Sequence, residues 1–178
     1  MTERQTIVID VETTGLDPDE DIVVEVSWWN LDTGDTGTFI PRHSERKVLR
    51  PENAPALRVN RYLDRILGQD QDNGPAADDL KEMLEGNTLA GSNPAFDAAF
   101  LRRMYTEQYG WEPPRHHHRL LDLSAYAAGV LGLPWSELPG LATVCELVGV
   151  ELTDAHTARG DVKATGECFL RLREMSKR

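Results

Sequence analysis

Two carboxylates, Asp10 and Glu12, follow without a turn on the apolar run Ile7-Val-Ile9 of the segment Thr6–Leu16. Such a run reads as a strand buried on both faces. Side chains in a strand alternate with period two, so the two acids point to the same side. Like charges that close repel, and burial near a sheet pushes one of them toward its neutral form. A divalent cation between them resolves the conflict most simply, and carboxylate oxygens suit hard ions such as Mg²⁺ or Mn²⁺. A lone pair of this kind is more often a strand end reaching water. The metal reading therefore depends on matching ligands elsewhere in the chain.

Two further segments supply them. In Gly91-Ser-Asn-Pro-Ala-Phe-Asp97, Asn93 lies where a short strand gives way to a helix and Pro94 takes the first helical position. Asn93 is thus placed as an N-cap, with Asp97 on the first turns. A carboxylate there also gains from the helix dipole, so Asp97 taken alone can be structural. In Ala155-His-Thr-Ala-Arg-Gly-Asp161 a histidine precedes an acid by five residues. Inside one helix they would stand about 140° apart and share no face. The spacing works if His156 lies in a loop and Asp161 in the first helical turn. The imidazole can then fold back over the same pocket and serve as a general base.

The elements that must position these residues follow from periodicity. After the turn Gly15–Asp19, strands are expected over Asp21–Asn30 and Thr36–Ile40, forming an antiparallel meander with the first. Adjacent Trp28 and Trp29 face opposite sides, one toward the core and one under a helix. Pro41–Asn53 reads as polar, basic and irregular. A helix is expected over Ala54–Leu67, a linker over Gly68–Gly74 and a helix from Pro75. A strand follows over Thr88–Ser92, then helices over Pro94–Tyr109, Leu120–Leu131, Leu138–Val148 and Ala158–Met175. This order predicts an α/β fold, a mixed central sheet flanked by helices, in one domain over residues 1–178.

Composition narrows the function classes. A net charge of -11 argues against a protein that coats duplex nucleic acid by bulk electrostatics. It leaves room for an enzyme gripping a few phosphates through metal ions and local arginines. Arg42, Arg46, Lys47 and Arg50, and then Arg58, Arg61 and Arg65, are as consistent with solvated faces as with a binding groove. No apolar run is long enough to span a bilayer. Cys145 and Cys168 read as core fillers rather than a disulfide or metal pair, which suits a cytoplasmic setting. His116-His-His118 invites a metal reading, but consecutive residues rarely converge on one ion, and a basic loop fits better. Asp122 can be a further acidic neighbour or a helix cap.

Taken together, Asp10-Val-Glu12-Thr-Thr-Gly-Leu16, Asn93-Pro-Ala-Phe-Asp97 and His156-x4-Asp161 resemble the three motifs of the DEDDh 3′–5′ exonucleases. That family includes the proofreading epsilon subunit of bacterial DNA polymerase III and RNase T. The resemblance runs from about Thr6 to Leu172. It implies an RNase H-like fold and two divalent metal ions held by Asp10, Glu12, Asp97 and Asp161, with Asp97 acting partly through water. It further implies that His156 deprotonates the attacking water, that Thr13, Thr14 and Leu16 contact the terminal nucleotide, and that Asn93 supports them. The implied reaction releases nucleoside 5′-monophosphates from the 3′ ends of single-stranded nucleic acid, with DNA favoured. Trimming of RNA ends is the alternative within enzymes; a non-catalytic module binding a polymerase or nucleic acid is the alternative outside them. A DNA polymerase is a candidate partner, and the oligomeric state is left open. Between Pro41 and Pro55 the family pattern is hard to trace, and Ala56-Leu-Arg-Val-Asn60 is its nearest remnant.

Overall fold

The computed structural model describes residues 3–177. Strands β1 (Thr6–Thr13), β2 (Val23–Asn30) and β3 (Thr36–Phe39) form the meander. Short helices α1 (Glu45–Val48), α2 (Ala54–Val59) and α3 (Tyr62–Arg65) lead to α4 (Pro75–Leu84) and β4 (Thr88–Gly91). Helix α5 (Pro94–Arg103) is followed by β5 (Leu121–Asp122), α6 (Leu123–Leu131), α7 (Leu141–Val148) and α8 (Ala158–Met175). The sheet order is β3-β2-β1-β4-β5. Strand β1 is antiparallel to β2 and parallel to β4, which is in turn parallel to β5. This is the mixed sheet of an RNase H-like α/β fold.

The period-two pattern of β1 divides the core. Ile7, Ile9 and Val11 pack with Leu80, Phe100 and Tyr105 on the α4–α5 face. Val8 packs with Val144, Val162 and Phe169 on the face covered by α6, α7 and α8. Asp10 and Glu12 continue the Val8 side and so emerge toward α8. Trp28 packs against the first cluster and Trp29 against the second, as their adjacency predicts, though neither is fully buried. Gly166 is what allows α8 to lie on β2, since a Cβ there would collide with the Trp29 ring.

The β1–β2 register runs Glu12 opposite Glu25 and then Thr13 opposite Val23, so Val24 is an extra residue. This bulge turns Val24 into a third cluster with Val48, Leu57, Tyr62 and Ile66. The cluster anchors α1–α3 beside the end of β1.

Several expected boundaries shift for identifiable reasons. The helix expected over Ala54–Leu67 is broken at Asn60-Arg61, where Arg61 takes a φ of 55°. There the Asn60 side-chain amide donates to the Thr13 carbonyl at 3.1 Å and its Oδ1 accepts from the Tyr62 N–H at 3.1 Å. A tertiary bond to β1 thus outweighs helical propensity. Pro41–Asn53 is less irregular than expected, holding α1 and a 3₁₀ turn at Pro51–Asn53. Helix α5 runs on into wider π-helical turns over Met104–Tyr109. Leu121 and Asp122 are a fifth strand rather than the start of a helix, and Asp122 caps α6 by accepting from the Ala125 N–H at 2.7 Å. Helix α7 begins only after Pro139-Gly140. No described helix is long and apolar enough to cross a membrane.

Candidate active site

Three of the acids meet at the end of β1. Asp10 and Glu12 come from the strand and Asp161 from the first turn of α8; one carboxylate oxygen from each lies within 4.8 Å of the others. They form the only such group of metal-ligating side chains among the described residues. The histidine run does not converge: the His117 and His118 rings lie against each other at 4.3 Å, and the His117 N–H bonds to the Asn87 carbonyl.

Asp97 approaches from the other face of the sheet. The β1–β4 ladder ends at Val8 opposite Ala90, which leaves the Val11 N–H without a strand partner. The buried Asp97 carboxylate accepts that N–H at 3.1 Å. Asn93 stands at the N-cap of α5 as expected, but its side chain makes no capping bond; the amide is exposed instead.

The His156 loop precedes α8 as the spacing requires. Thr157 caps the helix, its hydroxyl accepting from the Gly160 N–H at 3.0 Å and donating to the Asp154 carbonyl at 2.8 Å. Both Asp154 and His156 have positive φ, 55° and 60°. The His156 N–H donates to Asp161 Oδ2 at 3.3 Å, and its imidazole is exposed. Gly160 lets the loop cross the helix: a Cβ there would lie 2.7 Å from the Thr153 carbonyl oxygen.

Thr13 and Thr14 are buried, and their hydroxyls serve the β1–β2 turn itself. Thr13 donates to the Gly15 carbonyl at 2.6 Å, and Thr14 donates to Asp21 Oδ1 at 3.0 Å. Leu16, at 84% exposure, projects an apolar side chain from the rim.

The acids hold their protons unusually tightly. Burial and then the Asp161 and Glu25 carboxylates push Glu12 up to about 8, against the pull of Arg65. Asp97 is pushed up to about 7 by burial, against the Val11 N–H bond. Asp10 rises well above the usual carboxylate range through burial and then the charges of Asp97, Asp161 and Glu12. Asp161 rises through burial, opposed by its bond from the His156 N–H and by the His156 ring. Asp161 Oδ1 is buried without a hydrogen-bond partner among the described residues. Hard oxygen donors, mutual repulsion and a bare carboxylate oxygen fit a divalent cation.

One acid at the site escaped the sequence reading. Glu25, in the apolar context Val23-Val-Glu-Val26, is buried directly opposite Glu12. Its carboxylate receives both arms of Arg65, at 3.1 and 3.0 Å, and the Ala158 N–H at 3.0 Å. A charged residue inside an apolar strand was the available signal. The role of Arg65, grouped by sequence with solvated cations, has no local signature.

The site geometry agrees with the similarities of the chain. Residues 7–169 match the family model described as Exonuclease, RNase_T. The PolC-type DNA polymerase III of Thermotoga maritima is 27% identical over 174 residues, covering 97% of this chain and 12% of that protein. The Bacillus subtilis PolC-type enzyme is 26% identical over 176 residues, with the same coverage. The chain therefore spans only 12% of the length of these curated relatives. Among solved structures, E. coli exonuclease I in complex with a dT13 oligonucleotide superposes with a TM-score of 0.74 at 18% identity, over 97% of this chain and 41% of that one. With its motif acids gathered at one end of an RNase H-like sheet and the family model matched over residues 7–169, the chain belongs to the exonuclease family, in its DEDDh branch.

Proposed function

We propose that the protein is a metal-dependent 3′–5′ exonuclease that removes nucleoside 5′-monophosphates from single-stranded ends, DNA in preference to RNA. The observation that carries this reading is the cluster of Asp10, Glu12 and Asp161 with the bare Oδ1 of Asp161. Asp10, Glu12 and Asp161, with Asp97 beside Asp10, would hold two divalent ions, Mg²⁺ or Mn²⁺. Such ions, when bound, stabilise the attacking and leaving oxygens of phosphodiester hydrolysis.

The remaining work falls to the chain's own groups. His156, exposed on its loop and tied through its backbone to Asp161, accepts the proton of the attacking water. The turn shaped by the Thr13 and Thr14 hydroxyls offers the terminal nucleotide backbone groups and the exposed side chain of Leu16. The exposed amide of Asn93, at the N-cap of α5, borders the same end of the sheet. A cavity of about 690 Å³ begins at Thr14 and is lined by Arg42, Lys47, Arg50 and Arg103, with Glu20, Asp21, Glu52 and Glu107 among them. Arg42 and Arg103 are held by main-chain carbonyls of Tyr109 and Pro18. The side chains of Lys47 and Arg50 make no hydrogen bond or ion pair among the described residues, which suits contact with the phosphates behind the terminal nucleotide.

Likeness to the PolC-type polymerases supports association with a DNA polymerase, and the oligonucleotide in the exonuclease I complex supports a single-stranded substrate. The test is degradation of matched DNA and RNA oligomers labelled at the 5′ end, in Mg²⁺ and in EDTA. A descending ladder in Mg²⁺, faster for DNA, with circular single strands untouched, is the expected result. Immediate release of the labelled 5′ mononucleotide reverses the polarity, and wild-type activity in excess EDTA removes the metal.

A further inference from the structure

Glu25 and Arg65 link three parts of the site that are distant in sequence. Glu25 bonds the Ala158 N–H, the first of α8, at 3.0 Å, across 133 positions of chain. Arg65, which grips the same carboxylate, also donates to the Asn60 carbonyl from Nε and Nη2, at 3.2 and 2.9 Å. The Asn60 amide in turn holds the Thr13 carbonyl at the end of β1. A single run of bonds therefore joins the start of α8 to the strand that carries Asp10 and Glu12.

Stability alone does not call for this arrangement. A buried ion pair is often replaced by apolar residues of similar volume with no loss of stability. An apolar pair has no acceptor for the Ala158 N–H and no donor for the Asn60 carbonyl. The loop just ahead of Ala158 needs holding, since Asp154 and His156 adopt backbone conformations that persist only where surroundings impose them. The Arg61–Asp154 pair, at 4.0 Å and exposed, holds it weakly.

We infer that Glu25 and Arg65 are positioning residues, which aim His156 and Asp161 at the Asp10–Glu12 pair by fixing the first N–H of α8 to the frame of β1 and β2. The inference rests on the nuclease reading for its kinetic consequences and on the bond network for its structural ones.

The test combines kinetics with amide hydrogen exchange over residues 153–161 of the metal-free protein. Glu25→Gln keeps the shape but turns an amide toward Arg65. It should lower kcat about 10–100-fold, the range seen when groups that orient metal ligands are removed, with KM little changed. Exchange at 153–161 should accelerate while the later turns of α8 stay protected. Arg65→Lys should not rescue, because an ammonium lacks the two-armed geometry. Glu25→Leu combined with Arg65→Met should restore the melting temperature and still show low kcat and fast loop exchange. Leu84→Ala, in the opposite core, supplies a destabilised control with normal kcat. The inference is overturned if Glu25→Gln has wild-type kcat and loop exchange, or if the apolar double variant recovers both. A wild-type protein that hydrolyses no oligomer defeats the nuclease reading instead, and the exchange comparison still decides whether the pair holds the loop.

Discussion

At the scale of single residues, the acids conflict with one another until something cationic joins them. Glu12 has a folded pKa of about 8 against an ordinary 4.5. The unfolded chain therefore loses this proton first, and the metal-free fold loses stability as pH rises between those values, levelling above the higher one. Asp10→Asn removes the buried carboxylate that the charges of Asp97, Asp161 and Glu12 oppose. At pH 8 it should raise the melting temperature of the metal-free protein while abolishing turnover. Thermal melts in EDTA and oligomer assays in Mg²⁺ read the two effects separately, and a lowered melting temperature would refute the account. Cation uptake should also expel protons near neutral pH. Calorimetric titrations of Mg²⁺ in buffers of different ionisation enthalpy measure their number, and a value of zero would mean the acids enter binding already ionised. His156→Ala should lose about 10²–10⁴ in rate and keep its fold by circular dichroism. A folded variant within a few-fold of wild type would take His156 out of the chemistry.

At the scale of elements, the site depends on one crossing, where the loop over residues 153–157 passes the first turn of α8. Gly160 makes that passage possible, because a side chain there would meet the carbonyls of Thr153 and Asp154. Backbone carbonyls, unlike the end of a flexible side chain, cannot swing aside. Gly160→Ala should cost about 1–3 kcal/mol by overpacking, displace His156, and reduce kcat by more than its effect on stability explains. Denaturant unfolding alongside kcat separates these. An active, undisturbed variant would show that the loop has room to move.

For the whole molecule, the charge of -11 opposes any general attraction to a polyanion. Binding must then be local, and Lys47 and Arg50 are the cations on the cavity wall whose side chains have no partner among the described residues. Replacing both by Ala should raise KM for single strands and leave kcat nearly intact. The dependence of log affinity on log salt should flatten by about 0.7 per lost phosphate contact. Fluorescence anisotropy across a salt series provides the slope, and an unchanged slope would route the strand along another surface. The two buried thiols, Cys145 and Cys168, are free cysteines that share a hydrogen bond at 3.6 Å and serve as core filling between α7 and α8.

The local pattern was sufficient for much of this. Period-two alternation by itself sends Asp10 and Glu12 to one side of β1, and that side proves to be the one α8 covers. The five-residue interval from His156 to Asp161 required a loop and a first turn, as found. Alternation and helical spacing are short-range signals, and these placements depend on little else. What tertiary structure alone decided involves partners far apart in sequence. Asp97 reaches Val11 only because the β1–β4 ladder stops short, across 86 positions. Helix α2 ends at Asn60 because the Thr13 carbonyl, 47 residues away, takes its amide. Glu25 looks like an isolated charge in an apolar strand until folding brings Arg65 and the start of α8 against it. No local periodicity encodes such bonds, since their energy arises only when chain closure has brought both partners out of water together.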